Sequence, residues 1–303
     1  YMDQGFTVVK ILSVELLMAQ EGNYCGPLDW VNELRAVEEK VRQVTRTGTR
    51  AESSAANAQL YDFNRIPHPF TNMHVTEQGL EQLDEYIGRV RSVIGTKVPL
   101  AIDHFGHFPL PDMIKIARRL EKYHLAWLED MLPWYLTGQY GELKHATTAP
   151  IATGEDMYLA ESFEPLLQAG ALDVVHPDLL TSGGILETKK LGDLAARYGA
   201  SMALHMCESP VSALAGAHMA TASENFFAQE HDAFDSGWWQ DLIIGPVKPI
   251  VKDGFTVVTD APGLGIEGLN EDLIREHGPM KNKDVWVSTD EWNQETSLDR
   301  IWS

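Results

Sequence analysis

The feature that most constrains the fold is a repeat of spacing rather than of residues. Short apolar runs begin at residues 98 (VPLAID), 125 (LAWLE), 150 (PIATG), 172 (LDVVH), 201 (SMALH) and 225 (NFFAQE), so successive starts lie 27, 25, 22, 29 and 24 residues apart. Each run has the length of a buried strand, and each interval has room for one crossover helix and two loops. Between the runs, Met113, Ile116, Ala117 and Leu120 keep a helical spacing, as do Leu186, Leu191, Leu194 and Ala195, and Gly170 and Gly199 stand where such helices should stop. Strands joined by crossover helices lie parallel, and this many with inward apolar faces favour closure into a (β/α)8 barrel over an open sheet.

A further strand, GFTVVK over 5–10, and a helix over about 76–94 extend the pattern to seven strands. A closed barrel of eight needs one more, and GFTVV at 254–258 comes late and runs into the turn-rich APGLG, so the first strand is expected upstream of Tyr1. The chain is therefore read as a barrel over 1–250 with a long insertion at 20–74, followed by a C-terminal segment over 251–303. The insertion carries Gly22, Asn23, Gly26, Pro27 and the polar run TRTGTRAESSAANAQ, and its length, beyond that of an ordinary connection, makes it either a lid or packing insert or a partly mobile stretch.

With 303 residues, 44% of them hydrophobic, the chain can bury a large core. Its net charge of −20 argues against nucleic acid or an anionic membrane as partner, since the summed field repels phosphate, and makes a divalent cation the more natural guest. Cys25 and Cys207 lie far apart without metal-ligand spacing, which fits neither a disulfide framework nor a zinc cluster and favours a reducing, cytoplasmic setting. No apolar run reaches the length of a membrane span, and YMDQGF lacks the basic and apolar regions of an export signal. A soluble homo-oligomer is expected.

In a parallel barrel, the C-terminal ends of the strands open onto one face, where chemistry collects. Asp103 ends VPLAID, Glu129 ends LAWLE and Glu155 follows PIATG, each 26 residues after the last. Any one of them alone reads most simply as a solvated strand end. Three on consecutive strands would repel one another unless a cation neutralised them, and an oxygen-only set without His or Cys selects Mg²⁺, or Mn²⁺, over zinc. A zinc hydrolase is disfavoured further because no His-x-His ends a strand.

The next strands present Asp178, in HPDLLTSGG, and His205, at the end of SMALH. Asp178 can accept from Nδ1 of His205, which fixes the tautomer, raises the basicity of the ring and leaves Nε2 free to take a proton. Glu230 closes NFFAQE, where a carboxyl beside a substrate carboxylate would serve only if protonated or hydrogen-bonded, so a raised pKa is expected there. Lys10 could neutralise substrate negative charge or simply snorkel to the surface. His104 and His107, in DHFGH, could contact substrate or only pack beside Asp103. Trp134, Trp238 and Trp239 read as loop packing rather than as substrate platforms.

The runs AIDHFGH, WLEDMLPW, IATGEDMY, HPDLLTSGGILETK, ALHMCESPV and AQEHD, with APGLGIE near the end, span about residues 5–267. Taken in this order and at this spacing, they resemble the enolase superfamily, in its mandelate racemase and muconate-lactonizing branch. The resemblance implies Mg²⁺ on Asp103, Glu129 and Glu155, an Asp178–His205 dyad as base and Glu230 as the late glutamate. It also implies proton abstraction next to a small-molecule carboxylate, and an N-terminal α+β capping domain, not in this sequence, toward which the C-terminal segment would return. Members with a lysine base carry Lys-x-Lys on the second barrel strand, where this chain has Lys10, Ile11 and Leu12. A two-base racemase needs an acceptor on each face of the α-carbon, whereas one imidazole can remove the proton and then assist a leaving hydroxide. Dehydration of a sugar acid, through an enediolate held by Mg²⁺, Lys10 and Glu230 and on to a 2-keto-3-deoxy acid, is thus favoured over racemization, epimerization or cycloisomerization. A non-catalytic carboxylate-binding barrel is the reading of a different class.

Overall fold

In the computed structural model, the described residues are 5–12, 22–26, 73–103, 108–231, 236–245 and 248–277, with separate positions between 33 and 59. Seven runs form seven parallel strands: β1 (Val9–Leu12), β2 (Leu100–Asp103), β3 (Trp127–Glu129), β4 (Ile151–Thr153), β5 (Val174–Val175), β6 (Ser201–Leu204) and β7 (Phe226–Gln229). Each pairs with the next in chain order, as repeated crossovers require. The sheet curls so far that Lys10 on β1 and Glu230, just past β7, form an ion pair at 2.6 Å, although β1 and β7 share no backbone pairing in it. This is the curved wall of a (β/α)8 barrel. β1 begins later than GFTVVK suggested, which puts Lys10 within the strand and Leu12 at its end.

Among the described residues, six helices cover the outer face: α1 (Glu77–Ile94), α2 (Leu110–Leu120), α3 (Thr137–Ala146), α4 (Leu159–Gln168), α5 (Gly184–Arg197) and α6 (Pro210–Thr221). α1 starts where the Thr76 side chain accepts from the Gly79 amide, and it buries Leu80, Leu83 and Ile87. α2 buries Met113, Ile116, Ala117 and Leu120, the stripe read from the sequence. In α5, Leu191 and Ala195 face the sheet, but Leu186 is 70% exposed and Thr188 takes the inward position. Leu186 precedes Leu191 by five positions, more than one helical turn, so the two cannot share a stripe. Gly170 and Gly199 follow α4 and α5 with φ of 62° and 75°, the left-handed stop that glycine makes cheaply.

Side chains alternate across the strands, and one inward layer holds Val8, Ala101, Trp127, Ala152, Val174 and Ala203. One indole among small residues fills the lumen, which is thus a packed core. Beyond residue 250, Val251–Lys252 pairs with Phe255–Thr256 and Ile243–Ile244 with Gly268–Leu269, while Leu264 and Ile266 pack with Trp239, Ile250 and Leu214 of α6. Most of the expected 20–74 insertion, and His104 and His107, lie outside the described residues. Among the described residues, no helix is long and apolar enough to cross a membrane.

Candidate active site

Two residues beyond the lumen layer, the same inward parity delivers Lys10, Asp103, Glu129, Gly154, His176 and His205 to one rim. Lys10 Nζ lies 2.6 Å from Glu129 Oε1, 2.6 Å from Glu230 Oε1 and 3.1 Å from Asp103 Oδ2. Burial opposes the ammonium charge, but Glu129, Glu230 and Asp103 raise the lysine pKa well above its ordinary value. Lys10 is therefore a cation inside the site and not a surface lysine.

Glu129 is fully buried, and both of its oxygens are engaged. Oε2 accepts from Trp127 Nε1 at 2.7 Å, while Oε1 faces Lys10 and, at 3.2 Å, His176 Nε2. Burial alone would raise its pKa, but His176 and Lys10 hold it well below the carboxylate range. Asp103, by contrast, is pushed up to about 7 by burial and by the Glu129 charge. Asp103, Glu129 and Asp130 bring carboxylate oxygens within 4.8 Å of one another. Asp130, at φ 46°, gives one oxygen to the Thr153 hydroxyl, and its Oδ2 is buried without a hydrogen-bond partner. Oxygen-only donors, crowded, buried and in part unpaired, are what a hard divalent cation requires. Residues fit to hold a metal are thus present, with Asp130 beside the pair read from the sequence.

Glu155 follows the neighbouring strand, near enough for its charge to raise the pKa values of Asp130 and Asp103, and its Oε2 lies 3.2 Å from His205 Nε2. Its main chain is steadied by Thr181, whose hydroxyl donates to the Glu155 carbonyl at 2.9 Å. Asp178 and His205 pair as an isolated parallel bridge, and the ring Nδ1 lies 2.7 Å from Asp178 Oδ2. Burial opposes protonation of His205, but Asp178, Cys207 and the charges of Glu155 and Glu230 push its pKa up to about 12. Glu208 adds a carboxyl that hydrogen-bonds Asp178; burial and that partner push it up to about 7. For Glu230 the expectation of a raised pKa is corrected: Lys10 and His176 outweigh the effect of burial and hold the carboxyl below its ordinary value.

Asp130, His176, Trp127 and Glu208 went unread in the sequence. His176 had a signal, since it follows the inward Val174 by two positions as Glu129 follows Trp127. Trp239 packs as expected, buried and donating its indole N–H to the Glu208 carbonyl at 2.7 Å.

A curled parallel sheet whose rim gathers buried carboxylates, a lysine and a His–Asp dyad is the catalytic end of a (β/α)8 barrel. A family profile described as enolase C-terminal domain-like matches residues 53–273, and the chain belongs to the enolase superfamily, in its mandelate racemase and muconate-lactonizing branch. Over 206 residues it is 32% identical to a D-xylonate dehydratase of Haloferax volcanii, covering 68% of this chain and 49% of that protein. It is 28% identical to a D-gluconate/D-galactonate dehydratase of Picrophilus torridus, covering 72% and 57% of the two chains. A mandelate racemase/muconate lactonizing enzyme-like protein from Rubrobacter xylanophilus superposes with a TM-score of 0.65 at 33% identity, over 67% of this chain and 51% of the other. The chain spans about half the length of these relatives.

Proposed function

We propose that the chain is the catalytic barrel of a Mg²⁺-dependent sugar-acid dehydratase acting on an aldonate or aldarate. The observation that carries this reading is the His205–Asp178 dyad, with Nε2 turned toward the carboxylate rim and Leu12, 41% exposed, level with Asp103 where a second lysine would stand. Asp103, Glu129 and Glu155 would hold the ion, with Asp130 adjoining. When bound, Mg²⁺ supplies Lewis-acid charge that acidifies the proton next to the substrate carboxylate and, by offsetting the acids, lets His205 be neutral as a base must be.

The rest falls to the chain's own residues. Asp178 keeps the His205 proton on Nδ1, so Nε2 accepts the α-proton. Lys10 turns its ammonium toward the negative charge left on the substrate. Glu230, ionised and paired with Lys10, orients that ammonium and is not a proton donor. The protonated Nε2 then returns its proton to the departing 3-hydroxyl: the C–H and C–O bonds break, a C=C bond forms, water leaves, and the enol tautomerises to a 2-keto-3-deoxy acid. The two curated relatives reported above, a D-xylonate dehydratase and a D-gluconate/D-galactonate dehydratase, support this class of substrate. The test is a panel of aldonates and aldarates incubated with the chain and Mg²⁺ in D₂O. Keto-acid formation supports dehydration, exchange of the α-proton without it points to an isomerase, and neither would leave a carboxylate-binding barrel.

A further inference from the structure

His176 is wholly buried, yet neither ring nitrogen makes an aligned hydrogen bond. Its Nε2 sits between two acceptors, 3.2 Å from Glu129 Oε1 and 3.5 Å from Glu230 Oε2, and a single N–H aimed between two carboxylates is collinear with neither. The ring is also wedged between aromatic neighbours, 5.7 Å from Trp127 and 6.0 Å from the His205 ring by centroid. Trp127 closes the other side of the same carboxylate, donating to Oε2 at 2.7 Å from within the lumen layer.

We propose that Trp127 and His176 are positioning residues for the carboxylate of Glu129. Trp127 fixes Oε2 from below, and His176 fixes Oε1 while tying it to Glu230. A carboxylate offers about four lone-pair sites. Lys10 donates to Oε1 with His176 Nε2 facing the same oxygen at 3.2 Å, and Trp127 donates to Oε2, which leaves a lone pair of Oε2 for a cation in an orientation that the indole sets. The inference rests on the metal-site reading above and goes beyond it by assigning two residues that touch neither substrate nor ion. His176 further makes the placement of Glu230, and through it of Lys10, depend on the placement of Glu129.

The experiment is calorimetric titration of the full chain with MgCl₂ alone, for wild type and for Trp127→Phe, His176→Phe and His176→Gln, each checked for its fold by circular dichroism and melting. Phe keeps an aromatic ring in either place and removes the donor, whereas Gln at 176 keeps an N–H. Loss of an outer partner of a metal ligand typically weakens metal binding 10- to 100-fold. Trp127→Phe and His176→Phe are expected to weaken Mg²⁺ in that range, and His176→Gln to recover most of the loss. Wild-type affinity in a folded Trp127→Phe, or His176→Gln no better than His176→Phe, overturns the proposal. If His176→Phe does not fold, Trp127→Phe decides it. A wild type that binds no Mg²⁺ fails differently, since it removes the metal-site reading before any variant is compared.

Discussion

Asp178 and His205 meet twice, once as a parallel backbone bridge between neighbouring strand ends and again through side chains 2.7 Å apart. The backbone pairing fixes their register and so keeps the ring and its carboxylate within hydrogen-bond reach. Asp178 is itself tied down by the Leu180 amide, which donates to its Oδ1 at 2.7 Å. With Nδ1 held by Asp178, the other nitrogen, Nε2, is the one turned toward Glu155 and the rim.

His205→Asn should preserve fold and metal binding but lower both product formation and α-proton exchange by more than the roughly 10²- to 10⁴-fold typical of losing a general base. Asp178→Asn should cost less, since it disturbs the tautomer without deleting the ring. Exchange measured by NMR in D₂O decides: persistence near the wild-type rate in His205→Asn would assign the base elsewhere.

Removing one carboxylate from an all-oxygen set should loosen the ion more than loss of an outer partner does. Glu155→Gln is expected to weaken Mg²⁺ by more than about 100-fold, read by titration calorimetry. An unchanged affinity would take Glu155 out of the site and leave Asp103, Glu129 and Asp130 as the ligand group.

Glu208 makes stability depend on pH. Its carboxyl is raised from 4.5 to about 7, so the neutral form is the one the fold favours. That contribution is complete below pH 4.5 and is lost as the pH rises through 7, where the folded chain must give up a proton that the unfolded chain has already lost. The melting temperature should therefore fall across this window more steeply in wild type than in Glu208→Gln, whose amide still donates to Asp178. Equal slopes in the two proteins would show that Glu208 titrates normally.

Gly154 immediately precedes Glu155 and has φ +148°, and a Cβ there would lie 2.6 Å from the ring of Phe163. Gly154→Ala should thus lower stability by about 1–3 kcal/mol through backbone strain alone, with the clash in addition. Urea unfolding reads it, and an unchanged midpoint would mean that the turn can relax.

The barrel was legible because its periodicity survives in the spacing of apolar runs, and Asp103, Glu129, His205 and Glu230 were legible because they end or follow those runs. What stayed hidden is of another kind. Trp127 lies inside an apolar run, so nothing in its type distinguishes a ligand's donor from core filler. His176 was visible by parity but sits in an apolar run with no partner near in sequence. The pKa of Glu230 was misjudged because its sign depends on Lys10, whose pairing only the curl of the sheet creates.

That curl also bears on how the chain reaches its native state. Most neighbouring strands are joined by some 25 residues and can pair soon after their segment collapses, so the sheet can grow by short loop closures. The contact of Lys10 with Glu230 joins the two end strands of the sheet, far apart along the chain, and can form only after the wall has bent round. Such a long-range contact comes late and slows folding. Until then Glu230 lacks its partner ammonium, so repulsion among the rim carboxylates is felt at the final stage, and millimolar divalent cation should speed the last kinetic phase of refolding more than the first.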